Sequence, residues 1–97
     1  MLPGRDEERP HRTVTRREKL IRRFRNRPRD LAWDELVRLL ESVGYAEVRT
    51  GRTGGSRRRF THPDAPSISL HKPHPDNIVK TYVIDRVLHL LTEEKLI

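Results

Sequence analysis

The 97-residue chain is long enough for one domain, since a single core typically serves ~100–200 residues, but too short to hollow out a deep cofactor cavity. Its 21 Lys and Arg against 14 Asp and Glu give a formal net charge of +7, with Arg dominating, so nucleic acid, or else an acidic protein, is the expected partner. With no cysteine there is no disulfide framework or thiolate zinc site, and no apolar run approaches the ~18 residues that would span a membrane or supplies the core of a signal peptide.

Those exclusions lead to the expectation of a soluble, cytoplasmic protein whose core is one sheet face packed against helices. Residues 1–14 hold charges, two prolines and almost nothing apolar, and read as a disordered basic tail ahead of one domain over 15–97. Thr15 opens a short helix running to Arg27, with Leu20, Ile21 and Phe24 on one side at helical spacing. Pro28 ends it, because the residue before a proline is pushed out of the helical region.

A second helix carries the apolar stripe Trp33, Leu36, Val37, Leu39 and Leu40. Asp34 and Glu35 suit its first turn, where the helix dipole favours negative charge. Gly44 is the expected left-handed residue at its end. Trp33 begins a core stripe and so reads as packing rather than as a platform for bases.

After Gly44 the pattern changes from helical to alternating. Tyr45 to Thr50 reads as a first strand, with Val48 directed inward. Residues 51–56 form a polar, basic, glycine-rich loop. Arg57 to His62 is a second strand and Ser67 to His71 a third, joined by a turn holding Pro63, Asp64 and Pro66. Pro73 and Pro75 block further pairing. A last helix runs from near Lys80 to about Glu93, with Val83, Ile84, Val87, Leu88 and Leu91 on its apolar face and Leu96 and Ile97 packing beyond it.

The loop and second strand bring Arg49, Arg52, Arg57, Arg58 and Arg59 close to Gly51, Gly54, Gly55 and Ser56. Backbone amides that glycine leaves accessible, together with cationic forks, are what a phosphate needs. Alternation adds detail. With Phe60 facing the core, Arg57, Arg59 and Thr61 face out; with Ile68 and Leu70 facing the core, Ser67, Ser69 and His71 face out. Pairing Phe60 with Ile68 sets Arg59 opposite Ser69 and Arg57 opposite His71.

Such a face could cleave RNA without a metal. An imidazole, with an unperturbed pKa of ~6.5, could take the proton of a 2′-hydroxyl that attacks the adjacent phosphate, and arginines could stabilise the added charge. The bland alternative is the exposed face of a basic sheet. His71 and His74 also have a two-residue spacing, with His62 nearby, but Pro73 intervenes and carboxylates are few, so neither a metal nor a cofactor is expected. His89 reads as a surface or boundary residue of the last helix.

From about Leu31 onward the chain resembles the HicA toxins of bacterial type II toxin–antitoxin systems. The resemblance rests on the run from Asp34 to Glu41, Val43-Gly44-Tyr45, Gly55-Ser56, Phe60, His62-Pro63, the run from Leu70 to Pro75, and the final helix ending in Glu94-Lys95-Leu96-Ile97. It implies an α+β fold: an α-β-β-β-α layer of sheet on helices like a double-stranded-RNA-binding domain, here with an additional N-terminal helix. It also implies a ribonuclease (an mRNA interferase) that arrests translation and is neutralised by a HicB antitoxin.

In that family cleavage is attributed to a histidine that follows a Gly-Ser pair. Here Arg57 stands in that position, and a guanidinium cannot act as a base near neutral pH. Two readings follow. In the first, His71 supplies the imidazole from the opposite strand, with His74 in reserve, while Arg52, Gly55, Ser56, Arg57, Arg59 and Lys72 bind RNA phosphate. In the second, the protein is a non-catalytic RNA-binding module of the same fold. The first helix either caps the sheet or adds a basic edge facing RNA.

Overall fold

The structure, a computed structural model, describes residues 15–48 and 57–97. The expected basic tail and the glycine-rich loop, with Arg52, Gly55 and Ser56, lie outside the described residues. The elements follow the expected order of two helices, three strands and a helix, and the fold is α+β.

Helix α1 (Arg16–Arg25) begins with a reciprocal cap. Thr15 Oγ1 accepts from the Glu18 amide at 3.1 Å, and a Glu18 carboxylate oxygen accepts from the Thr15 amide at 2.9 Å. The helix stops two residues short of Arg27. Pro28 crowds Arg27 out of the right-handed helical region, and Arg27 turns to the left-handed side at φ 50°.

Helix α2 (Trp33–Ser42) starts at Ala32, whose side chain cannot cap it. Glu35 does part of that work from inside the helix, accepting from the Ala32 amide at 2.9 Å. Its other carboxylate oxygen accepts from Arg23 Nε of α1 at 2.8 Å. The Arg23 hydrogen bond, helped by the Ala32 amide, holds the Glu35 carboxyl below the usual glutamate range despite partial burial. At the other end the Tyr45 amide returns to the Leu40 carbonyl at 2.9 Å and that of Gly44 to Glu41 at 3.1 Å, a Schellman closure. Gly44, at φ 107°, is the positive-φ residue it requires.

Strands β1 (Ala46–Val48), β2 (Arg57–Thr61) and β3 (Ile68–His71) form an antiparallel sheet in the order β1-β2-β3. Phe60 pairs with Ile68, Arg59 with Ser69 and Arg57 with His71, the register expected from alternation. Phe60, Ile68 and Leu70 are buried against the helices, and Trp33 packs on Phe60 with ring centroids 6.1 Å apart. Trp33 is thus a core residue.

Val48 is a correction. It pairs with Arg59 and is 37% exposed, so it shares the outer face rather than facing inward. Glu47 takes the position opposite Phe60 and forms an ion pair with Arg58 at 3.4 Å, which leaves β1 with no apolar inward residue.

Helix α3 (Thr81–Glu93) buries Ile84, Val87 and Leu91. It closes like α2, with Lys95 at φ 59° and the Leu96 amide on the Leu91 carbonyl at 2.8 Å. Leu96 and Ile97 pack on the core as expected. Helix α1 anchors Phe24 in that core and packs on α2 and α3. Between β3 and α3 the chain pairs with the segment before α2. The Val79 amide donates to the Leu31 carbonyl and the Trp33 amide to the Asn77 carbonyl, each at 2.8 Å, around an Ala32–Ile78 bridge.

Candidate nucleic-acid interface

The outer sheet face is built by period-two alternation. Burial of Phe60, Ile68 and Leu70 turns Arg57, Arg59, Ser69 and His71 outward, and all four are exposed. Directly opposite residues of an antiparallel pair have β-carbons about 4.5–5.5 Å apart. The pairing of Arg57 with His71 and of Arg59 with Ser69 therefore places two guanidinium groups, an imidazole and a hydroxyl side by side. Arg58 alternates to the other face, where Glu47 neutralises it. Among the described residues Arg57 and Arg59 form no ion pair.

Beyond His71 the sheet surface runs into an open cleft of about 800 Å³ between the segment after β3 and α3. His71, Lys72 and His74 line it, so the two candidate imidazoles and the expected phosphate-binding lysine share one site. Sequence reasoning missed the other walls: Arg29 from the α1–α2 connection, Lys80 ahead of α3, and Tyr82 and Arg86 on α3 itself. Tyr82 and Arg86 are four residues apart, hence neighbours on one helix face. That spacing, opposite the stripe of Val83, Ile84 and Val87, was the signal available in the sequence.

His62 is accounted for by packing. Its Nδ1 accepts from the Asp64 amide at 2.9 Å and its Nε2 lies 3.0 Å from the Val43 carbonyl, with the Tyr45 ring packed against it in a tilted arrangement, centroids 4.9 Å apart. It braces the β2–β3 turn against the end of α2. Tyr45 in turn donates to the Pro66 carbonyl at 2.8 Å. Burial, then the charge of Glu94, pushes the Tyr45 hydroxyl above its ordinary pKa. His89 is an exposed residue of α3. Among the described residues, no three His, Asp or Glu side chains gather as a metal-binding group, and no helix is long and apolar enough to cross a membrane.

Residues 33–91, from the first residue of α2 to the last buried turn of α3, match the family of HicA toxins of bacterial toxin–antitoxin systems. The chain belongs to the HicA toxin family. No curated protein and no solved structure matches it. The HicA segment contains the whole sheet and most of the cleft, and α1 and Arg29 precede it. HicA membership makes the chain the toxin of a toxin–antitoxin pair, with an antitoxin as its partner.

Proposed function

We propose that this HicA protein is a metal-independent ribonuclease, an mRNA interferase that cleaves messenger RNA and so arrests translation in the cytoplasm. A HicB-type antitoxin is its proposed inhibitor, and the α2-β1-β2-β3-α3 layer is read as the double-stranded-RNA-binding kind of fold. The observation that carries the catalytic reading is the cross-strand pairing of Arg57 with His71 beside that of Arg59 with Ser69.

The chemistry follows from that set. The neutral His71 imidazole takes the proton of a ribose 2′-hydroxyl, and the freed oxygen attacks the neighbouring phosphorus. The bond from phosphorus to the 5′-oxygen breaks, leaving a 2′,3′-cyclic phosphate. The departing oxygen collects a proton from imidazolium or water. Arg57 and Arg59 stabilise the extra negative charge of the phosphorane. Lys72 adds positive charge at the end of β3, and the 51–56 loop, with Arg52, Gly55 and Ser56, contributes phosphate contacts.

The test is cleavage of a long single-stranded RNA by the purified protein in EDTA, with His71→Ala in parallel. Loss of a positioned acid–base group lowers rate by about 10²–10⁴-fold, so the variant should lose cleavage while keeping its fold. Equal cleavage by both proteins removes His71 from the mechanism, and His74→Ala then tests the reserve imidazole. A second reading rests on Arg57, which occupies the position where the family resemblance places a histidine. RNA bound by wild type without cleavage products would make this HicA protein a binding module.

A further inference from the structure

Five aromatic residues other than histidine occur in the chain, and four of them, Phe24, Trp33, Tyr45 and Phe60, are buried. The fifth, Tyr82, is 60% exposed on the first turn of α3. Exposing an aromatic ring forgoes apolar burial, which few small cores can spare. The chain does so in the cleft beside His71, where Ile78, another exposed large apolar residue, also lies.

The charge around Tyr82 is one-sided. Arg29, Lys72, Lys80 and Arg86 line the cleft, and none forms an ion pair among the described residues. Elsewhere Arg23, Arg27 and Arg58 each have a carboxylate partner. Against these four cations the lining holds one carboxylate, Asp76, which accepts from the Ile78 amide at 3.1 Å. The mouth of the cleft is also the start of α3, which has no side-chain cap and no acidic residue in its first turn. An exposed ring set among unpaired cations is the arrangement that binds single-stranded nucleic acid, the base stacking on the ring and the backbone tracking the charge. At about 800 Å³ the cleft has room for a nucleotide-sized group.

We propose that this cleft holds a nucleotide of single-stranded RNA next to the cleavage position, its base stacked on Tyr82 and its phosphates held by Arg29, Lys80 and Arg86. The location of the cleavage position rests on the ribonuclease reading above; the binding site does not. The cations select a polyanion, the ring selects a base that is not locked in a duplex, and together they favour RNA over an acidic protein segment.

Binding is measured apart from cleavage, using a fluorescein-labelled single-stranded oligonucleotide with 2′-O-methyl groups throughout, which cannot be cut by 2′-oxygen attack. Tyr82→Ala should weaken affinity by roughly ten-fold or more, the usual loss on removing a base-stacking ring. Tyr82→Phe should bind like wild type, because stacking uses the ring and not the hydroxyl. Arg86→Gln should lower both affinity and the slope of log affinity against log salt, the latter by about 0.7 for one phosphate contact to a single strand.

Affinity for Tyr82→Ala within two-fold of wild type overturns the proposal, even if ordinary RNA is still cleaved. The same holds if Tyr82→Ala spares RNA but weakens the complex with antitoxin, which would make the cleft a protein-docking site. Tight, Tyr82-dependent binding with no cleavage of unmodified RNA leaves the stacking site in place and removes only the ribonuclease.

Discussion

Gly44→Ala should destabilise the fold far more than a one-carbon change on the surface would suggest. Gly44 sits at φ 107°, where a side chain is strained by about 1–2 kcal/mol. A β-carbon built there would also lie 2.6 Å from His62 Nε2 and 3.0 Å from its Cδ2. The imidazole cannot swing aside freely. Its Nδ1 accepts from Asp64 at 2.9 Å, so Nε2 carries the hydrogen and donates to the Val43 carbonyl at 3.0 Å, while Tyr45 covers the ring. Displacing it breaks at least one of those hydrogen bonds, each contributing about 0.5–1.5 kcal/mol. Together the two effects amount to roughly 1.5–3.5 kcal/mol. For a domain of this size that lowers Tm by roughly 6–28 °C. Thermal and urea unfolding followed by circular dichroism would read it, with His62→Ala as a second background. There the steric part is gone and the glycine substitution should cost only the backbone strain, leaving a coupling of about 1 kcal/mol or more. Equal costs in the two backgrounds, within about 0.5 kcal/mol, would refute the idea that His62 is what Gly44 accommodates.

Glu35→Gln should cost about 1–2 kcal/mol near neutral pH by removing a charge-assisted hydrogen bond to Arg23. Because Arg23 holds the Glu35 carboxyl below its usual range, that contribution is complete above the unfolded-state pKa and is lost as pH falls through the folded-state value; urea titrations of both proteins should therefore converge only once the pH is below the ordinary glutamate range. The direct opposition of Arg57 and His71 gives an exchange test: Arg57→His combined with His71→Arg should retain measurable RNA cleavage, whereas His71→Arg alone should have none. Equal inactivity of both proteins, with normal melting, would show that the imidazole must sit on β3.

The β2–β3 register was legible because a one-residue slip would turn Phe60, or Ile68 and Leu70, into water. That penalty fixed the faces, and pairing Phe60 with Ile68 then set Arg57 opposite His71. Val48 was misread because β1, among the described residues, contributes three residues to the sheet, too few for alternation to distinguish faces. Its inward position belongs to Glu47, whose partner Arg58 comes from another strand. The cleft was hidden for a different reason. Its walls come from Arg29, the segment after His71, and α3, which meet through backbone hydrogen bonds between residues 31–33 and 77–79. Two hydrogen bonds between amides have no side-chain signature. The bracing role of His62 was not legible, because its partners are the backbone of Val43 and Asp64.

The same backbone pairing connects a helix outside the HicA segment to the wall of the cleft. Phe24 fixes α1 in the core, and Arg23 at the preceding position reaches Glu35 at the start of α2. Glu35 holds the Ala32 amide, and Ala32 bridges to Ile78, whose side chain lines the cleft. Arg29, in the short connection between α1 and α2, lines the cleft directly. Helix α1 packs on α2 and α3. Arg16, Arg17, Lys19, Arg22 and Arg25 remain exposed along it, so its solvent face is basic. Residues 33–91 supply the sheet and its paired arginine and histidine; the preceding turn and helix supply one cationic wall and the contacts that hold it in place.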